Sequence, residues 1–285
     1  MTNVTAWYCG DYRLDVTKTV VVGILNATPD SFYAESRCKT VNDTMRKAEK
    51  MVLEGVDMID VGGESTRPFA NQVSESEESD RVITHVAALV RVFNVPISLD
   101  TSSPLVMQKG LDVGVSVIND VRALTRPGAV EVVAKAQCGV CLVHMNGEPQ
   151  DMQIDPKYPQ AGGVVAAVKK FLADRVKVCE GADIDKQRLA VDLGFGFGKN
   201  VDHQITLFKH IQEFKSLGLP IYLGLSRKSF WGHITTFNQD RLTPTIVGTM
   251  IAVMRGARII RTHDVGATKT ALEILDTLGV SLCPT

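Results

Sequence analysis

Short runs of aliphatic and β-branched residues alternate with longer amphipathic stretches along this chain. We predict eight strands from these runs, because most of each run is continuously apolar instead of alternating between apolar and polar positions. Continuous apolar runs are typical of parallel strands that are covered on both faces. The predicted strands are 19–25, 57–61, 95–99, 115–118, 139–143, 188–191, 219–223 and 258–260.

Signals for the beginning and end of helices lie between these strands. The segment Ser74-Glu-Ser-Glu77 has the pattern of a capping box and predicts a helix that runs to about residue 91. Ser103-Pro104 and Thr243-Pro244 each place a capping hydroxyl before a proline at the first helical position. A further helix is predicted over 41–54, and it ends at a glycine.

Strict alternation of strands and helices over the whole chain defines the predicted fold class. It is α/β, a (β/α)8 TIM barrel that forms a single domain over residues 1–285, with its motif-bearing core at about 20–278. A length of 285 residues would also suit two average domains, but barrels of this kind commonly reach this size as one. A doubly wound open sheet is the alternative, because alternation alone does not prove that the sheet closes.

Polar residues are concentrated directly after the predicted strands. In a barrel of parallel strands, the loops at the carboxyl ends share one face, which is where active sites lie. Barrel stability does not require so polar a face, so the clusters indicate a functional pocket. The clusters are 26–31, 62–67, 100–101, 119–120, 144–146, 192–199, 226–228 and 261–264.

Charge and cysteine content exclude several classes of partner. The 31 Lys and Arg residues against 32 Asp and Glu residues leave a net charge of −1, so we expect neither nucleic acid nor a membrane surface as partner. The chain shows no secretory signal and no apolar stretch long enough to span a bilayer, and we expect a cytoplasmic protein. Cys138-Gly-Val-Cys141 lies within an apolar run, so we interpret both thiols as buried and structural.

Two glycine-containing loops fail the nucleotide-binding and nucleophile motifs that they resemble. Gly194-Phe-Gly-Phe-Gly-Lys199 lacks the third glycine of a dinucleotide fingerprint, and the residues around it do not match a phosphate-binding P-loop. Gly224-Leu-Ser-Arg-Lys228 ends in lysine where a nucleophile elbow needs glycine. Tight turns are the alternative interpretation of both loops. The two cations of the second loop are costly to place there unless they meet an anion.

Asp100, Asn119 and Asp192 end three different predicted strands and are expected to point into the mouth of the barrel. A carboxylate beside an amide is a good receptor for a flat heterocycle that carries adjacent N–H donors. The alternative is that these residues cap the helices that follow them, as Asp and Asn often do.

A second group of polar residues provides the donors that a phosphate needs. Asn26, Thr66, Arg261 and His263 follow three further strands. Asn26 is also a candidate ligand for Mg²⁺, which prefers oxygen and is commonly shared between protein and phosphate oxygens. The other histidines show no metal-binding spacing and are interpreted as structural or solvated.

Six of these segments, in order and spacing, resemble the dihydropteroate synthase family over about residues 20–278. They are Asn26-Ala-Thr-Pro-Asp-Ser-Phe32, Gly62-Gly-Glu-Ser-Thr-Arg-Pro68, Asn119-Asp-Val121, Asp192 to Lys199, Ser226-Arg-Lys228 and Arg261-Thr-His-Asp264. The resemblance implies a transferase of folate biosynthesis that joins 4-aminobenzoate to 6-hydroxymethyl-7,8-dihydropterin diphosphate. The products would be 7,8-dihydropteroate and diphosphate.

The resemblance also implies roles for individual residues. The pterin would be bound by Asp100, Asn119, Met145, Asp192, Lys228 and Arg261. Diphosphate would be bound by Asn26, Thr66, Arg67, Arg261 and His263, with Mg²⁺ on Asn26. The 4-aminobenzoate subsite, where sulfonamides act on this family, would comprise Thr28, Pro29, Arg67, Phe197 and Ser226. Catalysis would depend on Asp100, Lys228, Arg261 and His263, and the resemblance suggests a homodimer built from helices late in the barrel.

Three departures from the family pattern lie near the predicted site. Residues 31–36 read Ser-Phe-Tyr-Ala-Glu-Ser where the family usually has Ser-Phe-Ser-Asp-Gly-Gly, so Tyr33 to Ser36 lose two glycines. We expect a stiffer or redirected loop and an altered affinity for 4-aminobenzoate and drugs. Leu193 and Phe69 replace a usual proline and glycine, and we expect activity to survive both.

Two other functions are the alternatives to a synthase. They are a pterin-binding methyltransferase domain and a non-catalytic pterin-binding paralogue.

Overall fold

Parallel strands close into a barrel in this computed structural model, which describes residues 4–27, 38, 40–64, 73–236 and 240–279. The strands are β1 (Ala6–Cys9), β2 (Tyr12–Asp15), β3 (Val20–Asn26), β4 (Met58–Gly62), β5 (Ile97–Asp100), β6 (Val117–Asp120), β7 (Gly139–Val143), β8 (Leu189–Asp192), β9 (Ile221–Leu223) and β10 (Ala257–Thr262). Strands β3 to β10 pair in sequence order, and β10 pairs with β3, where Ile260 lies opposite Val21. The predicted barrel is therefore confirmed, and the open sheet is wrong.

Helices follow the barrel strands and cover their outer surface. They are α1 (Val41–Leu53), α2 (Glu75–Val92), α3 (Pro104–Asp112), α4 (Ala129–Lys135), α5 (Gly163–Gly181), α6 (Val201–Lys209), α7 (Trp231–Ile234), α8 (Leu242–Met254) and α9 (Val265–Thr277). Ser74 and Ser103 cap α2 and α3 as predicted. The predicted cap at Thr243 is wrong, because α8 begins at Leu242. Pro244 then lies in the first turn, where its missing N–H has no intrahelical acceptor to lose.

A β-hairpin of β1 and β2, which the sequence pattern did not predict, covers the amino-terminal end of the barrel. Trp7 is fully buried there, and its indole N–H donates to the carbonyl of Arg188 at 2.8 Å. Its ring meets that of Tyr222 edge to face, with centroids 6.4 Å apart. The backbone N–H of Gly10 donates to the carbonyl of Gln137 at 3.0 Å. The hairpin thus closes the end of the barrel opposite the predicted site.

Replacing Trp7 by phenylalanine is expected to lower the free energy of unfolding by about 1–3 kcal/mol. The smaller ring leaves a gap beside Tyr222, and the carbonyl of Arg188 loses its buried donor. Urea unfolding followed by circular dichroism measures the loss. Tyr8→Phe in the same strand is the control, because Tyr8 is exposed. Equal midpoints for the two variants would show that the hairpin does not stabilise the barrel.

The buried thiols behave as the sequence suggested. Cys138 and Cys141 are free and buried, and burial raises the pKa of both thiols above its usual value. A raised thiol pKa disfavours the thiolate, which is the reactive form. The structural interpretation of this Cys-x-x-Cys pair is therefore confirmed. Among the helices that the structure describes, none is long and apolar enough to cross a membrane.

Candidate active site

Four of the predicted site residues lie at the carboxyl ends of barrel strands. Asn26, Asp100 and Asp192 end β3, β5 and β8, and Asn119 is the penultimate residue of β6. Because all these strands are parallel, their carboxyl ends open at the same mouth. Helices α3, α4 and α6 have Ser103, Gly128 and Asn200 at their N-caps, so the capping interpretation is wrong for the three strand-end residues 100, 119 and 192.

Arg261 joins two carboxylates at the centre of the mouth. Its Nε donates to Asp60 Oδ2 at 2.6 Å, and its Nη2 donates to Asp100 Oδ2 at 2.9 Å. Asp60 is fully buried on β4 and also accepts from Ser98 Oγ at 2.5 Å and from Asn119 Nδ2 at 3.3 Å. The sequence analysis missed Asp60. The available signal was an acidic residue within an apolar strand, which is rarely buried unless it is paired.

The free acceptors of the mouth suit a ligand that donates hydrogen bonds. The Oδ1 atom of Asn119 is buried and has no hydrogen-bond partner among the described residues. Asp192 is buried and accepts from the N–H of Gly194 at 2.7 Å, and burial raises the pKa of its carboxyl group. Burial likewise raises the pKa of Asp100, to about 8, while Arg261 opposes the rise. A buried acceptor without a partner is costly, so a ligand donor at Asn119 would be strongly favoured.

Lys228 supplies a cation beside these acceptors. Burial lowers its pKa to about 8, although the nearby Asp192 carboxylate raises it. Arg261 lowers the pKa of Lys228 further, and Asp100 raises it. Its Nζ lies over the ring of Phe197, 4.7 Å from the centroid. Lys228 therefore titrates near pH 8, and its ammonium group lies over an aromatic face while the Asp192 carboxylate favours its charged form.

His263 is neutral in this site. Burial lowers its pKa to about 3, and the positive charges of Arg261, Arg227 and Lys228 lower it as well. Its Nδ1 lies 2.9 Å from Ser226 Oγ, which also accepts from the backbone N–H of His263 at 3.1 Å. The sequence analysis expected His263 to donate to a phosphate, and the imidazole can offer a neutral N–H donor but carries no charge at neutral pH.

The second cation of the Ser226-Arg-Lys loop has an internal partner. Arg227 forms a two-pronged ion pair with Asp264, with Nε and Nη2 donating at 2.9 and 2.7 Å. Its backbone has φ +54°, and its N–H donates to Thr245 Oγ1 at 2.9 Å. The cations of this loop were expected to need an anion, and Arg227 meets one within the chain, Asp264, so that it ties the loops after β9 and β10 together.

The glycine loop after β8 is a tight turn that the packing of its neighbours requires. A Cβ atom at Gly194 would lie 1.7 Å from the carbonyl oxygen of His144, and one at Gly198 would lie 2.0 Å from that of Asn146. Both glycines also have positive φ, +68° and +63°. This close approach to the loop after β7 explains the glycines without a nucleotide, as the tight-turn interpretation proposed.

The other predicted site residues fall into two groups. Met145 is half-buried in the loop after β7, and Leu193 is fully buried behind the site. The residues that lie outside the described part of the chain are Thr28, Pro29, Tyr33, Ala34, Glu35, Ser36, Thr66, Arg67 and Phe69. The mouth thus gathers acceptors and donors at the carboxyl ends of the strands of a (β/α)8 barrel, where enzymes of this fold bind their substrates.

Comparisons with known proteins define the family. The model of the family described as pterin binding enzyme matches residues 22–263. The dihydropteroate synthase of Haemophilus influenzae is 42% identical over 94% of this chain and 96% of its own. The crystal structure of the Yersinia pestis dihydropteroate synthase with a sulfonamide drug has a TM-score of 0.91 and 39% identity, covering 97% of this chain and 100% of its own. The Burkholderia cenocepacia enzyme complexed with 7,8-dihydropteroate has a TM-score of 0.86 and 39% identity, with 98% of each chain covered.

The chain belongs to the dihydropteroate synthase family. It is a transferase that condenses 6-hydroxymethyl-7,8-dihydropterin diphosphate with 4-aminobenzoate, giving 7,8-dihydropteroate and diphosphate in folate biosynthesis. The methyltransferase alternative is wrong, because relatives that share over 40% of their residues with this chain are synthases.

Proposed function

We propose that the barrel mouth binds the pterin through Asp192, Asn119, Asp100 and Lys228. The observation that carries this proposal is the buried pair of acceptors, the Asp192 carboxylate and the unpartnered Oδ1 of Asn119, beside a half-buried ammonium group. A pterin ring offers N–H donors and a carbonyl acceptor along its edges, which matches acceptors with an adjacent cation. Arg261 and Met145 complete the proposed pterin pocket.

The diphosphate would lie against Asn26, Arg261 and His263, together with Thr66 and Arg67. Arg261 retains further N–H groups after pairing with Asp60 and Asp100, because a guanidinium has five donors. The neutral imidazole of His263 adds an uncharged donor. These groups favour a leaving group whose negative charge grows as its bond to carbon breaks.

A magnesium ion fits this donor set only if the substrate brings most of its ligands. The described residues contain no group of three or more His, Cys, Asp or Glu side chains that could hold a metal ion. Mg²⁺ often binds through one or two protein oxygens plus substrate phosphates and water. Asn26, half-buried at the end of β3, would provide an amide oxygen for an ion held by the diphosphate. The bound ion would neutralise part of the diphosphate charge.

The 4-aminobenzoate would lie over Phe197, next to Ser226 and the loops that contain Thr28, Pro29 and Arg67. Attack by its amine nitrogen forms the new C–N bond. The C–O bond to diphosphate breaks with its electron pair on the leaving group, and one amine proton is released. The chain contributes orientation and electrostatics, since no protein nucleophile is needed.

The affinity for the pterin is expected to fall as pH rises through about 8. The ammonium form of Lys228 donates to the ligand, and its pKa is lowered to about 8 by burial. Since the protonated fraction decreases above that pKa, affinity should fall about tenfold per pH unit beyond it. Calorimetry with a pterin that carries a non-hydrolysable diphosphate analogue, from about pH 6 to about pH 9.5, measures this change in affinity.

Lys228→Met is the matched variant for this titration. It should bind the pterin weakly at every pH and lose the fall in affinity above about pH 8, because the amine is gone. Asp100, whose pKa also lies at about 8, remains, but its ionisation favours the N–H donors of the pterin and would change the affinity in the opposite direction. If the variant keeps the wild-type pH dependence, Lys228 is not the titrating group.

A homodimer through α8 and α9 is proposed from an apolar stripe on their outer surface. Val247, Ile251 and Met254 share one face of α8 and are 54%, 37% and 42% exposed. Ile274 and Leu278 are exposed on or just after the neighbouring α9. Contiguous exposed apolar residues favour an interface, and a second copy would cover them with the same stripe.

Val247→Glu is expected to shift the chain from dimer to monomer in sedimentation velocity experiments. A charge at the centre of the apolar stripe would be buried without a partner in the dimer. Val92→Glu is the control, because Val92 is similarly exposed at the end of α2. A wild-type chain that sediments as a monomer at micromolar concentration would contradict the proposed dimer.

The chain is also proposed to work in the cytoplasm. Four of its described cysteines, Cys9, Cys138, Cys141 and Cys179, are free and buried. Free thiols suit a reducing compartment.

A further inference from the structure

The connection between β7 and α5, residues 144–162, is a long loop without helix or strand. Loops of this length inside a compact domain usually have a function of their own. Met145 is the only residue of the proposed pterin site that lies in this loop. The contacts of the connection show that it packs against the glycine loop 194–198, which carries Phe197.

Lys199 joins the two loops from the interior. Its side chain is 1% exposed, and its Nζ lies 2.8 Å from His144 Nδ1 and 2.9 Å from the carbonyl oxygens of Gly194 and Phe197. The carbonyl of His144 lies 3.3 Å away. Burial lowers the pKa of Lys199, but the ammonium form has three protons for these acceptors, so every donor finds a partner.

Two half-buried side chains of the connection hold the glycine loop from the outside. Gln153 Nε2 donates to the carbonyl of Gly196 at 2.5 Å, and the hydroxyl of Tyr158 donates to the carbonyl of Gly198 at 2.8 Å. These two carbonyls belong to the residues on either side of Phe197. The backbone at Phe197 is therefore fixed from both directions by side chains of residues 144–162.

Asp192 does not depend on these contacts. It is paired within the barrel, where β8 lies between β7 and β9, and its carboxylate bonds to the N–H of Gly194. A change at Gly196 or Gly198 acts on Phe197 and on its contact with Lys228, 4.7 Å from Nζ to the ring centroid. The strand-end acceptor Asp192 and the aromatic side chain of Phe197 therefore have separate supports, and Lys228 contacts the pterin pocket and the Phe197 ring alike.

We propose that the connection 144–162 sets the conformation of the glycine loop, and that Gln153 and Tyr158 are positioning residues for the 4-aminobenzoate subsite. The inference rests on the proposed placement of 4-aminobenzoate over Phe197. In this proposal the affinity for 4-aminobenzoate depends on the connection 144–162, which contacts the carbonyls of the glycine loop. The affinity for the pterin depends mainly on the residues at the strand ends, Asp100, Asn119 and Asp192.

Tyr158→Phe and Gln153→Met test this with little change in shape. Each variant removes one hydrogen bond to a loop carbonyl, and each is expected to raise the KM for 4-aminobenzoate about three- to tenfold. The kcat and the dissociation constant for the pterin, measured by calorimetry, are expected to stay at wild-type values. Tyr8→Phe, which removes a hydroxyl from the exposed Tyr8 of the hairpin, should leave all three constants unchanged.

Phe197→Ala separates failure of this inference from failure of the proposed subsite. If Phe197→Ala raises the KM for 4-aminobenzoate but Tyr158→Phe and Gln153→Met do not, the inference is overturned and the subsite stands. If Phe197→Ala leaves that KM unchanged as well, both are overturned. A loss of pterin affinity in the Tyr158 and Gln153 variants as large as their rise in KM would also overturn the inference. It would mean that the connection 144–162 stabilises the whole mouth of the barrel and not the 4-aminobenzoate subsite alone.

Discussion

Replacing Asp192 by asparagine is expected to weaken pterin binding about 10²–10³-fold, a loss of about 3–4 kcal/mol. The Asp192 carboxylate is buried at the end of β8 and can only accept hydrogen bonds when ionised. An asparagine amide would turn a donor towards the donors of the pterin and would remove the negative charge beside Lys228. One oxygen would still accept from the N–H of Gly194, so the loop geometry should survive.

Calorimetry with the pterin substrate analogue measures this loss directly. Asp202→Asn is the matched control, since Asp202 lies in the first turn of α6 and is exposed. The control should bind the pterin like the wild type. Wild-type affinity in Asp192→Asn would remove Asp192 from the proposed pterin pocket, and with it the interpretation of the mouth as a receptor for N–H donors.

Replacing Arg261 by methionine is expected to lower the free energy of unfolding by about 3–5 kcal/mol and to abolish turnover. The guanidinium pairs with Asp60 and Asp100, and although burial opposes it, these carboxylates raise the pKa of Arg261 above its usual value. Without it, the fully buried Asp60 and the half-buried Asp100 lose the cation that pairs with both.

The loss of stability in Arg261→Met should depend on pH. Burial already raises the pKa of Asp100 to about 8, and removal of Arg261, which lowers it, raises it further. A carboxyl group whose pKa is higher in the folded than in the unfolded state makes the protein less stable as pH rises between the two values. Below about pH 8 Asp100 is protonated in the folded state of both proteins, so the variant should lose more stability relative to the wild type at about pH 10 than at about pH 7.

Urea unfolding at the two pH values measures this dependence. Arg91→Met is the control, because Arg91 is exposed near the end of α2. It should match the wild type at both values. A loss in Arg261→Met that is equal at the two pH values would show that the carboxylates beside Arg261 do not carry the effect.

The barrel could be predicted from sequence because its strands are buried on both faces and leave long apolar runs. Strand β4 shows the limit of this signal. Its apolar pattern predicts a strand at 57–61, but the partner of its one central acid, Asp60, is Arg261, about 200 positions away. The hairpin of β1 and β2 escaped prediction because β2 carries Arg13 and Asp15 among its four residues and lacks the continuous apolar run that identifies the barrel strands.

The composition of the site was predictable, but its charge balance was not. The strand-end positions of Asp100, Asn119 and Asp192 follow from the fold alone. The pairing of Arg227 with Asp264 and the neutrality of His263 depend on distances between loops that the sequence does not contain. The burial of Lys199 could not be predicted for the same reason, because a lysine that follows a glycine loop suggests an exposed group that binds anions.

Diphosphate release by the whole chain, measured together with 7,8-dihydropteroate formation, tests the function most directly. With the pterin diphosphate, 4-aminobenzoate and Mg²⁺ present, we expect one diphosphate for each dihydropteroate formed, and we expect both to require 4-aminobenzoate. Omission of Mg²⁺ should slow both equally. Tight pterin binding without release would instead indicate a non-catalytic pterin-binding protein, and release that is independent of 4-aminobenzoate would contradict the condensation.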